Sequence, residues 1–185
     1  MRGDKTRMAM LLFILSEGVF FLLLVLAYVT YHRQQGNGPT AANSLDLLKT
    51  GIFSVFLFSS SATMALAIRG FRRRAPRQLV GGLVGSFLLG AAFLTGQGLE
   101  YASLIHADVT ISRDLFGTTF FTLTGFHGLH VLGGLVLIAI MLGLNLAGGR
   151  NDPRPGQMEA VSIYWHFVDG VWVVIFSVVY LWAFL

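Results

Sequence analysis

Apolar positions along this chain gather into five long runs, at about 8–31, 51–68, 79–101, 116–146 and 158–185, with most of the charge confined to the stretches between them. Each run reaches or approaches the roughly 20 residues an α-helix needs to cross a hydrocarbon core about 30 Å thick. The pattern predicts an all-α, polytopic membrane protein of five transmembrane helices, forming one domain over residues 1–185. The start, Met1-Arg2-Gly3-Asp4-Lys5-Thr6-Arg7, imitates the basic head of a signal peptide, but the apolar run behind it is too long and lacks a small-residue cleavage motif. A retained first span is expected.

Composition agrees with that reading and narrows it. Only 12% of residues are charged, about half the fraction usual in soluble domains. Glycine is abundant (22 residues against 4 prolines), as expected where small residues let membrane helices approach closely. Cysteine is absent, which excludes disulfides, thiolate metal sites and thiol catalysis. The net charge of +4 sits in clusters between spans, a signature of membrane topology and not of nucleic-acid binding. With five spans the termini lie on opposite faces. Ten Lys and Arg residues then share one side (Arg2, Lys5, Arg7; Arg69, Arg72, Arg73, Arg74, Arg77; Arg150, Arg154) and three the other (Arg33, Lys49, Arg113). By the positive-inside rule the N-terminus is cytoplasmic and the C-terminus periplasmic. The run Arg72-Arg73-Arg74 reads as an anchor at an anionic leaflet or a partner contact.

Ionisable groups inside the spans call for partners, because an unpaired charge in hydrocarbon is costly. Glu17 lies nine residues past the start of its run, about 14 Å deep at 1.5 Å per residue. His127 and His130 follow at about 16 and 21 Å from the other side, and Asp169 at about 16 Å, so Glu17, His127 and Asp169 are expected at one level. His127 and His130, like His166 and Asp169, are three apart and so near one helix face. Glu100 and Tyr101 close the third span near the outer interface. Glu159 opens the fifth, where an acidic residue favours the helix dipole. The tryptophans Trp165, Trp172 and Trp182 read as interface belts and packing faces. Ser59, Ser60, Ser61 and Thr63 read as hydroxyls bonded to their own helix.

Three chemistries suit the buried set: a haem or di-metal site between helices, a proton relay through carboxyl and imidazole groups, or a hydrogen-bond network that holds the helices together. The repeated Glu-x-x-His pattern of di-metal bundles is missing.

At these residues the chain resembles subunit III of the haem-copper oxygen reductases, the cytochrome c oxidase and quinol oxidase family. The resemblance runs through Leu12-Phe13-Ile14-Leu15-Ser16-Glu17 with Phe20-Phe21, Gln97-Gly98-Leu99-Glu100-Tyr101, Gly117-Thr118-Thr119-Phe120-Phe121, Thr124-Gly125-Phe126-His127-Gly128-Leu129-His130-Val131, and Tyr164-Trp165-His166-Phe167-Val168-Asp169-Gly170-Val171-Trp172. It implies an accessory subunit in a bacterial inner membrane that binds no haem or copper, with those cofactors in partner subunits. The implied roles are proton uptake, stability and lipid binding of subunit I, with subunits I and II and structural phospholipids as partners. Long family members have seven spans, and this chain resembles the short form that begins at the third. Two alternatives remain at this point: a subunit III-like partner of a nitric oxide reductase, and a free-standing proton or solute channel.

Overall fold

The computed structural model describes residues 2–32, 45–111, 115–148 and 155–182. The connection from Gln34 to Pro39, the charges of Arg33, Arg113, Asp114, Arg150 and Arg154, and the last three residues of the fifth run lie outside the described residues. Five long helices account for nearly everything else: α1 (Arg2–His32), α2 (Leu47–Arg72), α3 (Pro76–His106), α4 (Leu115–Ala147) and α5 (Pro155–Phe176), the last continuing through a π-helical turn, Ser177–Leu181. All five are long and apolar enough to cross a membrane. Each of the first four starts before its apolar run and ends after it, because the helix continues through the polar interface while hydropathy marks only the hydrocarbon.

The helix ends follow from local chemistry. Asp46 caps α2 by accepting the Lys49 backbone N–H at 3.1 Å, satisfying one of the donors a helix N-terminus leaves free. Lys49 also pairs with Asp46 through its side chain at 2.9 Å. These contacts hold the exposed Asp46 carboxyl below the usual carboxylate range, the Lys49 side-chain contact contributing most. At the other end of α2, Arg74 adopts a left-handed backbone (φ 53°), while the N–H groups of Arg74 and Ala75 bond back to Phe71 and Gly70. This is the Schellman closure, with arginine where glycine is usual and Pro76 immediately after it. Helix α3 ends the same way, with Asp108 at φ 62° and Val109 N–H bonded to Leu104.

Helices α2 to α5 form a four-membered ring in which α2 and α4 each touch α3 and α5. The α2–α3 hairpin is close enough for backbones to meet: a methyl built on Gly82 would lie 2.5 Å from the Ala67 nitrogen. In the ring centre the Trp165 indole fills a slot between Gly90 of α3 and Gly134 of α4, where methyl groups would come within 2.7 and 2.6 Å of it. Helix α1 stays outside the ring, in the groove between α4 and α5. Its inward positions, Met10, Ile14, Glu17, Phe21, Leu24 and Tyr28, recur at alternating steps of four and three. That is the 3.5-residue period of a left-handed helix seam. The opposite side of α1 is uncovered, with Leu15 68% and Leu23 61% exposed.

Candidate functional site

The predicted polar residues assemble into separate ties between helices. On the seam of α1, Glu17 meets His130 of α4, with Oε2 3.1 Å from Nε2. The other imidazole nitrogen, Nδ1, lies 2.7 Å from the Phe126 carbonyl. A carbonyl only accepts, so Nδ1 carries hydrogen. The Nε2 contact ties α1 to α4 directly, side chain to side chain. Tyr164 of α5 donates to the His130 carbonyl at 2.9 Å, and Phe21 packs edge-on to the His130 ring at 4.9 Å.

His127 does not join Glu17. Its ring is wholly buried, stacked on Trp172 with centroids 4.8 Å apart and edged by Phe93 and Phe21. Neither of its nitrogens finds a hydrogen-bond partner among the described residues. Three residues along a helix is a rotation of about 300°, which leaves His127 and His130 about 60° apart. In a groove lined by several neighbours, that offset gives one ring to α1 and the other to the interior.

Asp169 also keeps away from Glu17. Ser61 of α2 sits between the two polar groups of α5, donating to Asp169 Oδ2 and lying 2.9 Å from His166 Nδ1. A hydroxyl has one hydrogen, so with Asp169 accepting it His166 donates, giving a chain from exposed imidazole through hydroxyl to buried carboxyl. Asp169 Oδ1 has no partner among the described residues. No hydrogen bond described joins this chain to the Glu17 pair.

The third tie is Glu100, expected at the interface and found folded inward. Helix α3 runs six residues beyond it. Its Oε1 accepts from Thr50 of α2 at 2.8 Å and its Oε2 from Tyr180 at 2.6 Å. Tyr180 lies in the π-helical turn, whose extra residue per turn rotates side chains away from the α-helical register. Next to Glu100, Tyr101 contacts the Thr124 hydroxyl at 2.7 Å, and Gln97 Nε2 donates to the Thr124 carbonyl at 2.7 Å. At the opposite end Arg72 pairs loosely with Glu159 at 3.5 Å, both well exposed. Arg73 is an exposed residue of the α2–α3 turn, and Arg74 is committed to closing α2.

Of the two roles expected for the tryptophans, Trp182 takes the surface one and Trp165 and Trp172 the packing one, 0% and 1% exposed. Their indole N–H groups donate to Ser60 at 2.9 Å and Ser54 at 2.8 Å, so the α2 hydroxyls reach another helix as well as their own. A sequence signal existed: tryptophans seven apart on one run, hydroxyls six apart on another. Among the described residues no group of three or more His, Asp and Glu side chains is arranged to hold a metal.

A family model described as cytochrome c oxidase subunit III matches residues 3–184. The chain belongs to that family. Relatives include subunit 3 of the cytochrome bo(3) ubiquinol oxidase of Pseudomonas aeruginosa, 32% identical over 97% of this chain and 86% of its own length. Cytochrome c oxidase subunit 3 of Synechocystis is 36% identical over 96% of this chain and 76% of its own length. The probable cytochrome c oxidase subunit 3 of Mycobacterium leprae is 32% identical over 97% and 89%. The chain is accordingly subunit III of a haem-copper oxygen reductase, one component of a hetero-oligomeric oxidase of the respiratory chain, and a multi-pass protein of the bacterial inner membrane.

Proposed function

We propose that this subunit III is an accessory component that holds no haem or copper and performs no step of oxygen reduction itself. In this reading it supports the stability, proton uptake and lipid environment of subunit I, contacts subunits I and II, and leaves redox chemistry to their cofactors. The supporting observation is the distribution of its polar groups. Glu17–His130, Ser61–Asp169–His166 and Glu100–Thr50–Tyr180 each join different helices locally, as a scaffold requires. The uncovered apolar side of α1 and bound phospholipid belong together in this reading, as a surface for lipid and neighbouring subunits.

The proposed orientation places the N-terminus in the cytoplasm. Arg7, Arg72 and Glu159 line one shallow depression, so the starts of α1 and α5 and the end of α2 lie at the same face as the basic clusters. Because the chain has no cysteine, single replacements label cleanly. Lys49→Cys is expected to react with an impermeant maleimide in spheroplasts, and Arg73→Cys only after permeabilisation.

The accessory role is tested in the assembled complex. Tagged chain should co-purify with haem-bearing subunits, and Glu17→Gln should leave initial oxygen turnover near wild type while hastening its decline during sustained turnover. Isolation of the chain alone, or immediate loss of turnover in a fully assembled Glu17→Gln complex, would contradict the proposal.

A further inference from the structure

Between α2 and α3, near the face where α2 begins, lies a cavity of about 290 Å³ with Glu100 in its wall. It is walled by the rings of Phe53, Phe93 and Trp172 and by Gln97, Ser103 and Leu99, with Asp46 and Lys49 also lining it. Leu99 is 62% exposed, so the cavity borders the lipid-facing surface of α3.

The Glu100 carboxyl in this wall has no ion pair among the described residues. Glu100 receives two neutral hydroxyl donors and has no Lys, Arg or His within ion-pair distance among the described residues. The nearby cation, Lys49, is paired with Asp46. Gln97 is only 7% exposed, and its amide turns toward α4, with Oε1 against Gly128 and Nε2 donating to the Thr124 carbonyl, so it is not a ligand-facing acceptor. A carboxyl with no ion pair of its own and an exposed serine hydroxyl in one wall suit a ligand that donates hydrogen bonds and carries positive charge. A primary ammonium has three donors and no acceptor, and aromatic walls favour a cation over a neutral donor. The lipid-side border gives an attached alkyl chain a way out.

We propose that this cavity binds the primary ammonium headgroup of an amphiphile, with Glu100 as counter-ion. The π-helical turn takes part by placing the Tyr180 hydroxyl on Glu100 Oε2, which fixes the carboxyl at the back of the cavity. The ammonium could arrive on a lipid headgroup or on a free alkylamine, and both present the same chemistry.

The assembled oxidase complex, purified in a non-ionic detergent, is labelled with a decylammonium probe carrying a photoactivated diazirine, and labelled peptides are mapped. Labelling is expected at Phe53, Leu99 or Ser103, displaced by decylammonium and not by decanol or decyl sulfate. Displacement by lysophosphatidylethanolamine, but not lysophosphatidylglycerol, assigns the ammonium to a lipid; displacement by decylammonium alone assigns it to a free amine. Glu100→Gln should weaken labelling about tenfold or more, the scale of a lost charged hydrogen bond. Because Glu100 also ties three helices, Ser103→Leu gives an independent arm: Ser103 is exposed, and the larger side chain should fill the cavity without touching the Glu100 bonds. Labelling elsewhere, equal displacement by decanol, or unchanged labelling in Ser103→Leu overturns the proposal.

Discussion

Gly134→Ala is expected to destabilise the bundle by an amount set by Trp165. The added methyl would lie 2.6 Å from both Cε3 and Cζ3 of the indole, where carbon atoms prefer about 3.5–4.0 Å. About 1 Å must be found. The far side of the ring is closed by Gly90, where a methyl position is already 2.7 Å from Cη2. Sliding the ring by that distance would stretch the 2.9 Å bond from Nε1 to Ser60 beyond hydrogen-bond range. Overpacking costs about 1–3 kcal/mol and the lost bond about 1, giving about 2–4 kcal/mol. That corresponds to a fall on the order of 5–15 °C in the midpoint at which the tagged subunit leaves the folded complex in detergent. Gly143→Ala, with nothing within 4 Å of the new methyl on the same helix, should be neutral or slightly stabilising. The decisive arm is Trp165→Phe, which is destabilising alone but should restore stability to Gly134→Ala by vacating the slot. Equal behaviour of the two alanine variants, or strict additivity of Gly134→Ala with Trp165→Phe, would refute the reasoning.

Three further outcomes follow from the ties between helices. Glu17→Leu and His130→Leu should show a coupling of about 0.5–2 kcal/mol in a double-mutant cycle read by thermal dissociation, whereas Glu17→Leu paired with His127→Leu should couple less. Ser61→Ala strips Asp169 of its described donor and should cost about 1–3 kcal/mol, against little for the exposed Ser59→Ala; equal effects would argue against the Ser61 bridge. Because folding lowers the Asp46 carboxyl, its stabilising contribution is present at neutral pH and is lost as acid protonates it below the ordinary carboxylate range. Amide exchange at Leu48–Thr50, corrected for intrinsic pH dependence, should therefore quicken in that acidic window in the wild type and show no such step in Asp46→Asn.

The five helices were legible because hydrocarbon imposes one backbone form and one minimum length. The residues of the polar ties were legible for the same reason, since Glu17 and Asp169 are conspicuous in apolar sequence. Their pairing was not. Depth along a helix placed Glu17, His127 and Asp169 together, but pairing depends on rotation as well as depth, and 60° separates the seam-facing His130 from the enclosed His127. Glu100 ends an apolar run but not its helix, which continues to His106. Its second donor, Tyr180, comes from a π-helical turn that no periodicity in the sequence announces. The tryptophans divide between the two roles expected of them, and because a belt and a core indole have the same composition, it is the glycines opposite Trp165 and the serines at matching intervals that tell them apart.

The seam that holds α1 has a consequence for how the protein is made. Glu17 and its partner are 113 residues apart, and at about 5–20 residues per second the ribosome delivers the carboxyl on the order of ten seconds before the imidazole exists. Helix α1 thus enters the membrane before the helices that secure it, docking only when α4 and α5 have followed. During that interval α1 carries an unanswered polar group. Errors of biogenesis in this subunit should therefore fall on the retention of α1.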